Sequence, residues 1–396
     1  MFRRIIMLLS IVIFCNLILS LPVQAEVEIG QEQIGIDTEM VDLAEEIDLA
    51  QVKDLLNQLD QDVQESLPDF SLSKIFEDLR NGELSLMPDD IGLSILKAIL
   101  KEVVVNGPLI AKLLVLAVIC AIINQLQLAF IGNVSRFAQM LVYLVLLGLV
   151  ITSFSMAVEI GNNAIDKMVS FMQAILPVMF TILIAMGNIT SAALFKPVIM
   201  GSLVFLATVM KNVVLPLFFL SVVLRLFNNI SPHFKLSKFA NLLEFGGKLS
   251  IGIVLTVFMG IMTMQGVTGG VADGVTLRTA KYSVDLIPVV GKFFKDAVEI
   301  VIGSGLLLKN ALGVVAMLAI ILIILAPVIK IIAMMFTFKI AAALVEPLGE
   351  KDLADSLQDM SKGLLYIFAA VASVGMMFFL TITIIIGAGN LAVMLR

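Results

Sequence analysis

The stretch GLLYIFAAVASVGMMFFLTITIII, residues 363–386, contains no charged side chain. A helix needs about 20 consecutive apolar residues to cross the hydrocarbon core of a bilayer, so this stretch predicts a transmembrane helix. Similar runs recur along the 396 residues, of which 60% are hydrophobic and 15% charged. That composition excludes a string of soluble domains. The sequence therefore predicts an all-α polytopic membrane protein with about six to ten membrane-embedded helices.

The chain begins with the pattern of an export signal. Residues 1–25 combine a basic start, an apolar core and small residues at Val23 and Ala25. We interpret them as a cleaved signal peptide, with a retained first helix as the alternative. Residues 26–90 are strongly acidic and have helical apolar spacing, which predicts an extracytoplasmic helical segment. Residues 91–106 carry Lys97 and Lys101 opposite an apolar face, which predicts an interfacial amphipathic helix.

The membrane body begins at residue 107, and its first two transmembrane helices are predicted within 107–160. The predicted spans are 109–130, 138–158, 168–188, 249–268 and 363–386, with a lysine-interrupted apolar block at 305–345. The run 198–227 is too long for one span and contains Lys211 and Pro216, which predicts two half-length helices folded as a hairpin. A hairpin also returns the basic residues after it to the cytoplasm, in agreement with the positive-inside rule.

Four landmarks recur in the same order in the two halves of the membrane body. Pro177 and Pro216 are followed 111 residues later by Pro288 and Pro327, and SAALFK resembles SGLLLK, which ends at Lys309. KFANLLEFGGK likewise aligns with DLADSLQDMSK. The spacing predicts a tandem repeat, with membrane repeat 1 at 161–268, an external linker at 269–283 and membrane repeat 2 at 284–396.

Ionisable residues at membrane depth are candidates for a solute pathway or a partner surface. The candidates are Lys211, Arg278, Lys281, Lys292, Lys295, Asp296, Glu299, Lys309 and Lys330. Lysines that snorkel to the interface, and a solvated helix over the linker, are the alternatives. Lys235, Lys238 and Lys248 lie in a basic segment and are candidate contacts for a cytoplasmic partner.

No catalytic constellation is present in the sequence. His233 is the one histidine, Cys120 is the one cysteine beyond the signal, and there is no phosphate-binding loop or zinc motif. We therefore predict no enzyme activity, no catalytic, cofactor-binding or metal residues and no nucleic-acid partner. An ATPase that drives this protein would be another chain.

Four stretches resemble the stage III sporulation protein AE family. They are SAALFKPVIM (191–200), VADGVTLRTAKY (271–282), GSGLLLKNALGV (303–314) and IIIGAGNL (384–391). The resemblance implies a subunit of the complex that joins mother cell and forespore and supports late forespore gene expression. It also implies partners: other membrane proteins of the same operon, a secretion-type ATPase and, indirectly, stage II sporulation protein Q of the forespore. A stand-alone secondary transporter, with its substrate site between two repeats, is the alternative hypothesis.

Overall fold

Long helices follow from the long apolar runs. The computed structural model describes the backbone over residues 88–129, 133–230, 236–285 and 290–394, and most side chains there outside 266–299. These residues all belong to one compact unit, 48–396. They contain no strand and form eight α-helices: α1 Pro88–Val105, α2 Gly107–Ala129, α3 Asn133–Ala185, α4 Ile189–Val209, α5 Leu215–Ile230, α6 Ser237–Asp285, α7 Val290–Val345 and α8 Lys351–Met394. The signal peptide and nearly all of the acidic segment lie outside the described residues.

The predicted fold class is confirmed. Five helical segments of the described chain are long and apolar enough to cross a membrane: Leu141–Ala185, Ala192–Asn228, Ser237–Gln265, Gly303–Leu348 and Lys351–Gly387. α1 and α2 meet at a bend of 46° and together would make a sixth. This number lies at the lower end of the expected range because several runs predicted as separate elements are continuous helices.

The two spans predicted at 138–158 and 168–188 are one helix, α3. The polar residues between them, including Asn163, form a helical turn rather than a loop. Gly161 lies inside this turn, and a Cβ at that position would be 3.2 Å from Ile367 Cγ2. The glycine therefore serves a close helix contact. At about 1.5 Å per residue, α3 is about 80 Å long.

The hairpin predicted over 198–227 is wrong. The backbone is right-handed helical at both Met210 and Leu215, and one π-helical turn, Met210–Val214, joins α4 to α5. The Leu215 N–H donates to the Met210 carbonyl, five residues back. Pro216 follows directly after this π turn, which is wider than an α turn and accommodates the proline within a continuous helical path. The π turn absorbs the change of register without a reversal of the chain.

Two further segments are also helical. The tandem repeat implies a second hairpin in the lysine-interrupted block, and this prediction is wrong, because α7 passes through Pro327. The segment 269–283, predicted as a linker with a solvated helix as the alternative, is the C-terminal part of α6. α6 and α8 begin at Ser237 and Lys351, which are 114 residues apart, as in the aligned motifs. The tandem repeat and the external position of 269–283 stay predictions.

α3 and α8 run side by side in the same direction. Tyr143 and Ser356 share a hydrogen bond of 2.5 Å near one end. Further along, a Cβ on Gly363 would lie 3.0 Å from Phe154. At the other end, a Cβ on Gly313 of α7 would approach both Ile386 and Met179. Residues 154–179 of α3 therefore lie beside the apolar stretch 363–386 of α8.

Candidate functional site: an ion network and two lysines

Charged side chains from α5, α6 and α8 form one ion network. Arg225 of α5 pairs with Glu244 of α6, and its other terminal nitrogen lies 3.8 Å from the Asp359 carboxylate of α8. Glu244 also pairs with Lys248, one turn further along α6, and accepts a 2.7 Å hydrogen bond from the Tyr366 hydroxyl. Because these four charged side chains are between 14% and 27% exposed, the network is mostly sheltered.

Aromatic packing holds the network against the helices. Tyr366 stacks on Phe218 at 5.1 Å between ring centroids, and the Lys248 ammonium lies 4.3 Å from the centre of the Tyr366 ring. Gly247 permits this approach, since a Cβ there would be 2.6 Å from the Phe218 ring. The arrangement neutralises opposite charges and fixes α6 and α8 against α5. Among the described residues, none of its charged groups lines a cavity of substrate size.

Lys211 is paired at the π-helical turn. Its ammonium lies 2.5 Å from the Asp166 carboxylate of α3, and the two side chains are 34% and 54% exposed. The sequence left open whether Lys211 is a pathway residue or snorkels to an interface. The ion pair joins the middle of α3 to the middle of the α4–α5 path.

Lys309 is fully buried between α7 and α8. Its ammonium donates a 2.7 Å hydrogen bond to the carbonyl oxygen of Ile386. Lys196, the last residue of the matching SAALFK motif, is exposed on α4. The two aligned lysines thus have different surroundings, and Lys309 is placed to fix α7 to α8.

The predicted site residues whose side chains the structure describes lie in separate places. Lys330 is half-buried in α7 and Lys238 is exposed on α6, whereas Lys248 is engaged in the ion network rather than left for a partner. Arg278 and Lys281 lie in α6, but their side chains are outside the described ones. The same holds for Lys292, Lys295, Asp296 and Glu299 in α7, and Lys235 lies outside the described residues altogether.

Sequence reasoning missed the acidic members of these clusters. Glu244 precedes Lys248 by four residues and Asp359 precedes Lys362 by three, spacings that favour ion pairs on a helix and could have identified both carboxylates. Asp166 could not be found in this way, because its partner is 45 residues away on another helix.

The described region contains a small cavity. A cavity between α3, α4 and α8, lined by residues such as Met172, Leu203 and Phe378, has a volume of about 10 Å³. That is room for roughly one water molecule. In the described residues no three or more His, Cys, Asp or Glu side chains cluster as metal ligands do.

Comparison with known proteins decides the family. The family model for stage III sporulation protein AE matches residues 70–389. The chain belongs to this family. It is 38% identical over 332 residues to the stage III sporulation protein AE of Bacillus subtilis (strain 168), and the match covers 83% of each chain. No solved structure matches. Together with its apolar helices, this membership makes the chain a membrane protein of a sporulation family.

Proposed function

We propose that this family member is a non-enzymatic subunit of a channel or secretion complex that links mother cell and forespore. In this proposal it resides in the mother-cell membrane around the forespore, with its N-terminal segment outside the cytoplasm. The operon's other membrane proteins and a secretion-type ATPase assemble with it, and stage II sporulation protein Q is an indirect partner. Late forespore gene expression depends on the assembled complex.

The proposal rests on a difference in polarity between α3 and α8, at the same level along the two helices. The hydrogen bond between Tyr143 and Ser356 aligns the start of α3 with the start of α8. At this height α3 exposes Leu141 (62%) and Val145 (56%), whereas α8 exposes the carboxylates of Asp352 and Asp355. Lipid would desolvate the carboxylates, and water would contact the apolar side chains. Another polypeptide that covers the apolar side satisfies both.

The length of α3 supports the same conclusion. Exposed apolar side chains occur at Leu141 and again at Ile184, which are about 65 Å apart along the helix. The hydrocarbon core of a bilayer is about 30 Å thick, so lipid alone does not cover both ends. Protein contacts at one end are expected of a subunit and are not required of a stand-alone transporter.

The cavity between α3, α4 and α8 is too small for a substrate. It has the space of roughly one water molecule, and a substrate site would need far more. A conduit along this part of the protein would therefore need surfaces from more than one chain.

The test is affinity purification from sporulating cells, with the full chain tagged and mild detergent. We expect the operon's membrane proteins and the ATPase to copurify, and the purified chain alone to move no solute into liposomes. Leu141→Ser combined with Val145→Ser should reduce copurification, whereas Asp355→Asn, at the same height on the charged side, should not. Solute uptake by the chain alone, with no copurifying partner, would establish the transporter instead.

The exposed Lys238 supplies a second check on partners. It lies on the first turn of α6, free of the ion network that engages Lys248. If the ATPase contacts this end, Lys238→Glu should weaken its copurification while the membrane proteins stay bound. Unchanged recovery of the ATPase would remove Lys238 from the contact.

A further inference from the structure

A stripe of polar side chains runs along the exposed face of α3. From Thr152 to Gln173 the exposed residues recur every three or four positions and, apart from Met156, they are polar; Lys167 follows Asp166 directly. The central members are Ser155, Glu159, Asn163, Asp166, Ser170 and Gln173. This spacing places them on one side of a helix. We call this set the α3 stripe.

The α3 stripe lies at the height of the apolar part of α8. Phe154 packs against Gly363. Met179 and Ile386 both lie next to Gly313 of α7, so the stripe runs beside residues 363–386. α8 has charged, exposed residues before this stretch, including Asp355 and Lys362. Residues 363–386 are therefore the part of α8 that crosses the hydrocarbon core, and the stripe accompanies them.

The central members of the stripe extend over nearly the thickness of the core. Ser155 and Gln173 are about 27 Å apart along α3, compared with about 30 Å for the hydrocarbon core. Because the stripe runs beside residues 363–386 of α8, it lies at the depth of the core. Exposed carboxylate and amide groups at that depth are costly against lipid and occur where they face water or protein.

The neighbouring α4–α5 path adds charge at the middle of the stripe. Lys211 pairs with Asp166, and Asn212 beside it is exposed. On the same path Phe205 and Leu220 expose apolar side chains on either side of this level. Along the α4–α5 path, apolar residues that suit lipid therefore lie on both sides of Lys211. Because the ion pair lies beside the stripe, it extends the polar surface from α3 to a second helix.

We infer that the α3 stripe, with Lys211, is a water-contacting wall of the conduit. This inference rests on the proposed multi-chain complex, since one chain supplies only one wall. The occupant in contact with the stripe is water, and a polar solute would pass along it. The polar surface of a partner protein packed onto the stripe is the competing occupant, which the experiment separates.

The experiment is cysteine labelling in sporulating cells that contain the assembled complex. Ser155, Asn163, Ser170 and Gln173 are each replaced by Cys in a full chain in which Cys15 and Cys120 are Ser. The matched controls are Leu249→Cys, Ile253→Cys and Val257→Cys on the exposed apolar face of α6. Because maleimide reacts with the thiolate, which forms in water, we expect at least about tenfold faster modification at the stripe than at the controls.

The outcomes are distinct. Fast labelling of the stripe in the assembled complex supports the inference. Slow labelling at all four positions, while partners still copurify, overturns it and leaves the proposed function intact, because the stripe is then covered by protein or lipid rather than water. Equal labelling of stripe and controls also overturns it. Loss of copurification in the unmodified chain would instead refute the proposed function. Immunoblots of each variant confirm equal membrane levels before rates are compared.

Discussion

The exposed faces of α3 and α6 lie at the same height and have opposite polarity. α6 exposes Leu249, Ile253, Val257 and Met264, and its exposed Thr256 donates its hydroxyl to the Gly252 carbonyl of its own helix, at 2.7 Å. α3 exposes carboxylate, amide and hydroxyl groups over a similar length. One face suits lipid and the other suits water, so the two sides of this chain have different surroundings in the membrane.

An arginine on each face gives the largest expected difference. Ile253→Arg places a charge at membrane depth on the apolar face and should cost about 3 kcal/mol, whereas Asn163→Arg on the α3 stripe should cost less than about 0.5 kcal/mol. The measurement is the thermal unfolding midpoint of each variant in membranes of sporulating cells that contain the assembled complex, because the stripe contacts water only there. Similar losses for the two variants would show that the faces do not differ in their surroundings.

The polarity of these faces was only partly accessible from sequence. The apolar stretches predicted the all-α membrane class correctly, because span-length hydrophobicity is a local property. The sequence predicts separate spans at 138–158 and 168–188, with the polar residues around Asn163 between them, because polar residues between apolar runs are typical of loops. In the structure α3 continues through them, and their spacing of three to four residues places them on one face.

The hairpin prediction failed for a different physical reason. Lys211 and Pro216 each suggest a break in a membrane helix, but the π turn accommodates the proline and Asp166 pairs with the lysine. Asp166 comes from a distant part of the chain, so no local pattern could supply this partner. The same holds for Tyr366 and Glu244, which are 122 residues apart.

The ion network provides the next prediction, because it fixes α6 and therefore the direction of the apolar face. Arg225→Leu should destabilise the protein by about 1–2 kcal/mol. The loss stays moderate because Glu244 keeps Lys248 and Tyr366, and Asp359 keeps Lys362. Lys362→Gln, at the exposed edge of the network, is the control and should cost less than about 0.5 kcal/mol. Equal midpoints for the two variants in nanodiscs would mean that Arg225 does not hold the helices together.

Breaking the Asp166 and Lys211 pair distinguishes water from lipid at the stripe. If water contacts the pair, Asp166→Asn should cost less than about 1 kcal/mol, because a half-exposed ion pair is worth little. If lipid surrounded it, the unpaired Lys211 would cost about 2.5–3.5 kcal/mol. Unfolding midpoints in membranes that contain the assembled complex separate these values, because the isolated chain would expose the pair to lipid. The double variant Asp166→Lys with Lys211→Asp should recover the original midpoint in either case and verifies that the pair itself is measured.

The smallest expected effect comes from hydroxyl groups, and it tests why the two faces tolerate polar residues differently. Thr256→Val keeps the branched shape and removes a hydroxyl that bonds only within its own helix. The free energy of unfolding should therefore change by less than about 0.5 kcal/mol and should not decrease in lipid. Ser170→Val should be similarly mild for stability, but it places an apolar group in the water-contacting wall. Maleimide labelling of Asn163→Cys, about two turns away, should therefore slow when Ser170→Val is added and stay constant when Thr256→Val is added. A slowing by Thr256→Val alone would link the α6 face to the same water and would end the distinction between the two faces.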